Sequence, residues 1–353
     1  MNGISLTGRI DQNASILRER LTLLGEQVST GRKGSSYAVL DTDAPKSMDL
    51  RGEITRRGAY QSAISQTLSK IQVTQDVLDR IAAIADKFAA DTASLMGATK
   101  PEAIQIQAGQ ARAALKEVAN LLNEKFNGDF LFGGSNAHQP PIPDPDNILT
   151  SGMATGIATE VASLTPTNAA TVLANTKALA QSDVLGVTPF SVFISTGPGA
   201  TEGRRNVLSG DGQRIDYGLF ANRNGSVISS GETTGSWARD LMRGLASIAA
   251  LTPGQSQLGQ GYTDLVTTVQ QGLKSAVSAL ALERGSLGVV EESIQSKSDL
   301  HERVTLTLTL QVSDVEEVDM AKTITSFQAT QTQLEASYRA IAIAQQLSLT
   351  RFL

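Results

Sequence analysis

Apolar residues towards both ends of the chain recur in alternating steps of four and three. Near the start they are Ile10, Ala14, Leu17, Leu21, Leu24 and Val28. A second run is Ile64, Leu68, Ile71, Leu78, Ala82 and Ala85, with Gln75 keeping the register. Near the end Met320, Ile324, Phe327, Leu334, Tyr338 and Ile341 repeat the spacing, with Gln331 and Gln345 in step. Such a repeat, averaging about 3.5 residues, is the seam of a helix that packs on another helix. The pattern therefore predicts long helices in both terminal regions. Breaks are expected at Gly31–Ser36 and at Pro45, and Pro101 opens a further helix to about Phe126, with Thr99 as its N-cap.

The middle of the chain reads differently. Pro140 to Asn147 cannot be helical, because prolines recur every two or three positions. Short β-branched or aromatic runs follow an Ala/Thr/Ser-rich stretch, at Phe190–Ser195 and Ile215–Phe220. Asn224-Gly225, between Tyr217–Phe220 and Val227–Ile228, predicts a hairpin, since both residues tolerate positive φ. Helix is expected again from Trp237, interrupted at Pro253-Gly254 and Gly285–Gly288.

The fold class is thus mainly α. Long terminal helices pack as a coiled-coil-like bundle around an inserted β-rich or mixed outer domain. The expected divisions are 1–135 for an N-terminal helical arm, 136–235 for the insertion and 236–353 for a C-terminal arm. A helix with a single apolar stripe is marginal alone, so the arms must pack on each other or on neighbouring copies. The candidate assembly seam is the set of larger apolar residues in the three runs, Ala14, Ala82 and Ala85 left aside. Beyond it Leu347, Leu349, Phe352 and Leu353 make an apolar tail that needs covering.

Composition removes most alternatives. The 353 residues contain no Cys and two His, His138 and His301, which excludes disulfides, thiol chemistry and a His-rich metal site. A net charge of -5 without basic blocks argues against nucleic acid as a partner. Charges from Arg9 onward break any signal-like apolar run, and no window of 18 uncharged apolar residues exists to span a membrane.

Catalytic motifs are also missing. Gly197 to Gly203 has one residue too many for a dinucleotide loop and carries Pro198, so it reads as a surface loop. There is no P-loop, no nucleophile elbow and no defensible Ser–His–Asp set. Asp144, Asp146 and Asn147 lack the Gly and Glu of a calcium loop and read as a solvated turn. Asp314, Glu316, Glu317 and Asp319 read as carboxylates at a helix N-terminus. Arg56 and Arg57 have no basic neighbourhood to make a phosphate site. No cofactor, metal or enzymatic activity is expected.

Segments at both ends carry a resemblance. Leu24 to Arg32, the turn Asp41-Thr42-Asp43-Ala44-Pro45, Val315 to Ala321, Gln331 to Tyr338 and Leu347 to Leu353 are similar to segments of the bacterial flagellin superfamily. The likeness covers roughly the first 135 and last 110 residues. It implies an axial component of the flagellum, exported unfolded through the flagellar type III channel and polymerised outside the cell. Its terminal helices would line a tube, with the insertion facing out. The implied partners are copies of the chain, the hook-associated protein and flagellin beside it, and an export chaperone on the C-terminal arm.

Leu121 to Gly134 and the Phe352-Leu353 ending resemble the branch that joins hook to filament. Filament flagellins are the alternative, since some share the Leu131-Phe132-Gly133-Gly134 run. Arg80 matches a further flagellin segment, in which Ala82 and Ala83 replace Arg and Glu. Outside the superfamily, heptads alone would also fit a coiled-coil adaptor.

Overall fold

The computed structural model describes residues 6–96 and 101–349, with side chains for 11–96 and 101–343. The chain divides into two compact units, one of residues up to Ala59 together with Leu300 onward, the other Tyr60–Asp299. Long helices dominate, as the heptads require. They are α1 (Leu6–Thr30), α2 (Ala44–Leu95), α3 (Pro101–Leu121), α7 (Trp237–Ala249), α8 (Gln260–Glu316) and α9 (Met320–Leu349). The break after α1 falls where expected, and Pro45 sits in the first turn of α2, where its missing N–H costs nothing. Thr99, Phe352 and Leu353 lie outside the described residues, as do the side chains of Ile10, Gln345, Leu347 and Leu349.

In the first unit α1 and α9 pack together. The Phe327 ring lies against Gly25, and the Arg18 guanidinium sits 5.5 Å from the centroid of the Tyr338 ring. Residue numbers rise along one helix as they fall along the other, so the pair is antiparallel.

The second unit holds the apolar core. Ile64, Ile71, Leu78, Ile81 and Phe88 of α2 are buried, as are Ile104, Leu115 and Val118 of α3 and Leu265, Leu273 and Leu280 of α8. Helix α7 is buried at every position, although it carries Arg239, Asp240 and Arg243. Its arginines are satisfied by the surrounding backbone. Arg239 donates to the carbonyls of Asn222 and Ala180 at 2.8 Å and pairs with Asp183. Arg243 donates to Leu173 O at 2.9 Å and to Glu232 at 2.6 Å.

The insertion is mixed, with more helix than its β-branched runs imply. It contains α4 (Gly152–Ala162), α5 (Ala169–Gln181) and the short α6 (Val192–Ser195), which overlaps a run read as extended. Pro140–Asn147 is irregular, as the prolines demand.

Three expectations change. The helix from Pro101 stops at Leu121, because Asn127 (φ 50°) and Gly128 (φ 88°) turn a hairpin between β1 (Lys125–Phe126) and β2 (Asp129–Phe130). The insertion's hairpin lies earlier than Asn224-Gly225: β3 (Asn206–Gly210) pairs with β4 (Gln213–Asp216) around Asp211-Gly212. Asn224 instead caps α7 by accepting from Trp237 N at 3.0 Å, and Gly225 N donates to buried Glu283 at 3.1 Å. Finally, α8 runs unbroken through Gly285 and Gly288. Two helical glycines cost about 1 kcal/mol each. Tertiary contacts offset this: Gln75 donates to Arg284 O at 3.3 Å, and Asp79 pairs with Arg284.

Candidate assembly interface

Two of the segments that resemble one superfamily, Leu24 to Arg32 and Val315 to Ala321, meet in space. Gly31 ends α1 at φ 71°, and its carbonyl accepts from Val318 N at 2.9 Å. Lys33 N donates to Glu316 O at 2.8 Å, and Arg32 and Glu317 form an isolated antiparallel bridge between those bonds. Lys33 Nζ also donates to Val315 O at 2.5 Å, while Gln27 reaches forward to Lys33 O at 2.8 Å. The exit of α1 is thereby sewn to the α8–α9 junction.

Glu316 is the charged centre of this junction. Its carboxylate accepts from Ser47 Oγ at 2.5 Å and from Arg51 Nε and Nη2 at 2.6 and 2.5 Å. The fork of Arg51 is bidentate, the strongest geometry such a pair has. The Arg51 hydrogen bonds, with help from Ser47 and the Arg51 and Arg32 charges, pull the Glu316 carboxyl down to about 2 against the opposing effect of burial. A cavity of about 220 Å³ lies alongside, lined by Arg32, Tyr37, Arg51 and Glu316 among others. Asp41, in the acidic turn before α2, holds φ 46° and ψ −115°, a sparsely populated conformation for a residue with a Cβ.

The acidic run needs a partial correction. Asp319 does cap a helix start, accepting from Lys322 N at 3.1 Å. Asp314 and Glu316 instead sit in the last turn of α8, where the macrodipole disfavours carboxylates. For Glu316 the compensation is Arg51 and Ser47, neither of which its neighbouring sequence reveals.

The seam residues fall into three groups. Ile64, Ile71 and Leu78 are fully buried and Leu68 half-buried, all in the second unit. Leu24 and Leu334 are buried in the first, with Leu17, Leu21, Val28, Phe327 and Ile341 half-buried. Met320, Ile324 and Tyr338 remain 39%, 40% and 42% exposed. The buried side of α9 is completed by Thr323 and Thr330. A pattern that counts Thr as polar misses both, although their methyl groups pack. Ile16 and Leu23 on α1 add exposed apolar area at a seven-residue spacing.

Other candidate chemistry is accounted for locally. Asn147 donates to both oxygens of Asp144, closing that turn on itself, and Asp146 faces Lys116 at 3.3 Å. The glycine loop holds a 3-10 turn, Pro198–Ala200, braced by Arg223 on the carbonyls of Ala200 and Glu202. Arg56 and Arg57 both pair with Glu53. Among the described residues no group of three His, Asp or Glu side chains could hold a metal, and no helix is long and apolar enough to cross a membrane.

Residues 270–353 match the family model described as the bacterial flagellin C-terminal helical region. No curated protein matches the chain.

Proposed function

From a C-terminal region that supports the bacterial flagellin superfamily, and with it a structural flagellar subunit rather than an enzyme, we propose a specific place in the flagellum. The chain is the subunit that joins hook to filament, outside the cell, and it polymerises with copies of itself through its terminal helices. Hook-associated protein and flagellin are its axial neighbours, and an export chaperone holds the C-terminal arm before assembly. Residues 1–135 and 236–353 form the axial core, and 136–235 face outward.

One observation carries the polymerising role. The α1–α9 pair leaves Met320, Ile324 and Tyr338 about two-fifths exposed and Leu17, Leu21 and Val28 only half-covered. Apolar area of that extent is retained on a helix pair when further helices are to cover it. The junction assignment rests on the Leu121–Gly134 segment. Within that segment Asn127, Gly128 and Gly134 take positive φ, the first two building a tight turn. Filament flagellin is the second reading, supported by the same Leu-Phe-Gly-Gly run.

A label on the insertion decides between them. One narrow band at the distal end of the hook is the expected result, and deletion should leave hooks without filaments while flagellin escapes into the medium. Decoration along the whole filament would make the chain a flagellin.

A further inference from the structure

Within α8 the segment Val304-Thr305-Leu306-Thr307-Leu308-Thr309-Leu310-Gln311-Val312 alternates apolar and polar residues at every step. A period of two belongs to a strand with one buried face, not to a helix. As a strand it would set Val304, Leu306, Leu308, Leu310 and Val312 on one side, and the threonines with Gln311 on the other. The segment holds no charge, proline or glycine, and Val304, Thr305, Thr307, Thr309 and Val312 are β-branched.

A helix cannot bury this pattern on one face. Turning about 100° per residue, it splits the aliphatic row between two sides. Val312 is buried and Val304 and Leu308 are half-buried, whereas Leu306 and Leu310 stand 63% and 59% exposed. The polar positions fit no better. The Thr305 hydroxyl is buried without a hydrogen-bond partner among the described residues. Thr307 and Thr309 donate back to the carbonyls of Arg303 and Thr305 at 3.1 and 2.8 Å. Back-bonded threonines weaken a helix slightly, and β-branching lowers its propensity further. The segment is held helical by the rest of α8 and by α2, whose Ile54 and Thr55 border the same cavity as Thr309 and Val312.

Local preference and native fold therefore disagree over this stretch. A partner that lets it become a strand must supply backbone hydrogen bonds along its edges and an apolar face for the aliphatic row. A second copy of the same segment supplies both. Stacked in register, Leu meets Leu, Thr meets Thr and Gln311 forms a ladder, and two such stacks close their aliphatic faces on each other. A slip by one residue would set leucines against threonines, so the alternation fixes the register. We propose that Val304–Val312 is a self-association segment: when this part of α8 opens, it leaves the helix and pairs as a strand with the same segment of other copies.

The test uses the full-length chain, held in urea just below its unfolding midpoint, with thioflavin fluorescence following assembly. Diffraction from the product should show the strand and sheet spacings of about 4.7–4.8 and 10 Å. Hydrogen exchange on the product should find residues 304–312 protected. Leu306→Lys combined with Leu310→Lys, at sites exposed on the native helix, should keep the native circular dichroism and urea midpoint. This variant should nevertheless lose the assembly and fail to extend seeds of the natural chain. Val289→Lys, at a site 67% exposed on the same helix but outside the alternation, should assemble as the natural chain does.

Should the double variant shift the midpoint, Thr307→Lys gives an independent reading. Thr307 is exposed on α8, and in the stack it would line up like charges at every level. A stacked product whose protected core lies elsewhere would overturn the proposal, as would a folded variant that extends seeds normally. Failure of the natural chain to give that strand spacing at any urea concentration would overturn it too. Polymers of the native helices lack the spacing, so the polymerising role proposed above is judged separately.

Discussion

Replacing Glu316 by Ala should unfasten the end of α1 from the α8–α9 junction. The substitution removes the acceptor of three hydrogen bonds, two from Arg51 and one from Ser47. Ser47 is fully buried and would be left with an unsatisfied hydroxyl, whereas the Arg51 side chain, 40% exposed, can recover water. Breaking a buried ion pair costs about 3–5 kcal/mol. The exposure of Arg51 lowers that to about 2–3 kcal/mol.

Linkage gives a compatible ceiling. The Glu316 carboxyl falls from 4.5 to about 2, which corresponds to about 3 kcal/mol at most. The group is depressed in the fold, so its contribution is complete above pH 4.5 and is lost as pH falls towards about 2.

Amide exchange at Lys33 and Val318 reads this locally, because both N–H groups are bonded across the junction. At pH 7 the variant should exchange there about 30- to 150-fold faster than the natural chain, after correction for intrinsic rates. The gap should close as pH approaches 2. Equal protection at pH 7, or a gap that persists undiminished at pH 2, would refute the role of the carboxylate.

Three further outcomes are expected. Gly134→Ala should destabilise the second unit by about 1–3 kcal/mol in a denaturant titration, since its φ is 63° and a Cβ would fall 2.1 Å from Glu202 Oε1. Leu334→Asp should block polymerisation while secretion continues, because it buries a charge where Leu334 is now 8% exposed, at a cost of several kcal/mol; sedimentation of the secreted protein measures this. Replacing residues 140–150 by a flexible linker should leave polymerisation close to normal by the same assay, as the stretch holds no seam residue, while losing buried Ile142 and Ile148 should lower the second unit's stability by a few kcal/mol, about 2–5 for each, in a denaturant titration.

The heptad spacing alone determined that helices dominate both ends of the chain. Periodic burial is a property of the local string: Ile64, Ile71 and Leu78 project to one side of any helix they share. Gly31 and Pro45 likewise mark breaks by their own backbone chemistry. What local chemistry could not decide was which turn signal is used and which glycine interrupts. Gly285 and Gly288 stay helical because α2 packs alongside, and Asn224-Gly225 serves as a loop because Glu283 and α7 claim its hydrogen bonds.

The junction shows the same division. Composition marked Glu316 only as one acid in a run, since its partner Arg51 lies 265 positions away. Nothing in the local sequence marks Arg239 and Arg243 as buried, and only the carbonyls of a folded insertion make them core residues. Spacing therefore settles which elements form, while the partners of buried charge exist only once distant segments have met.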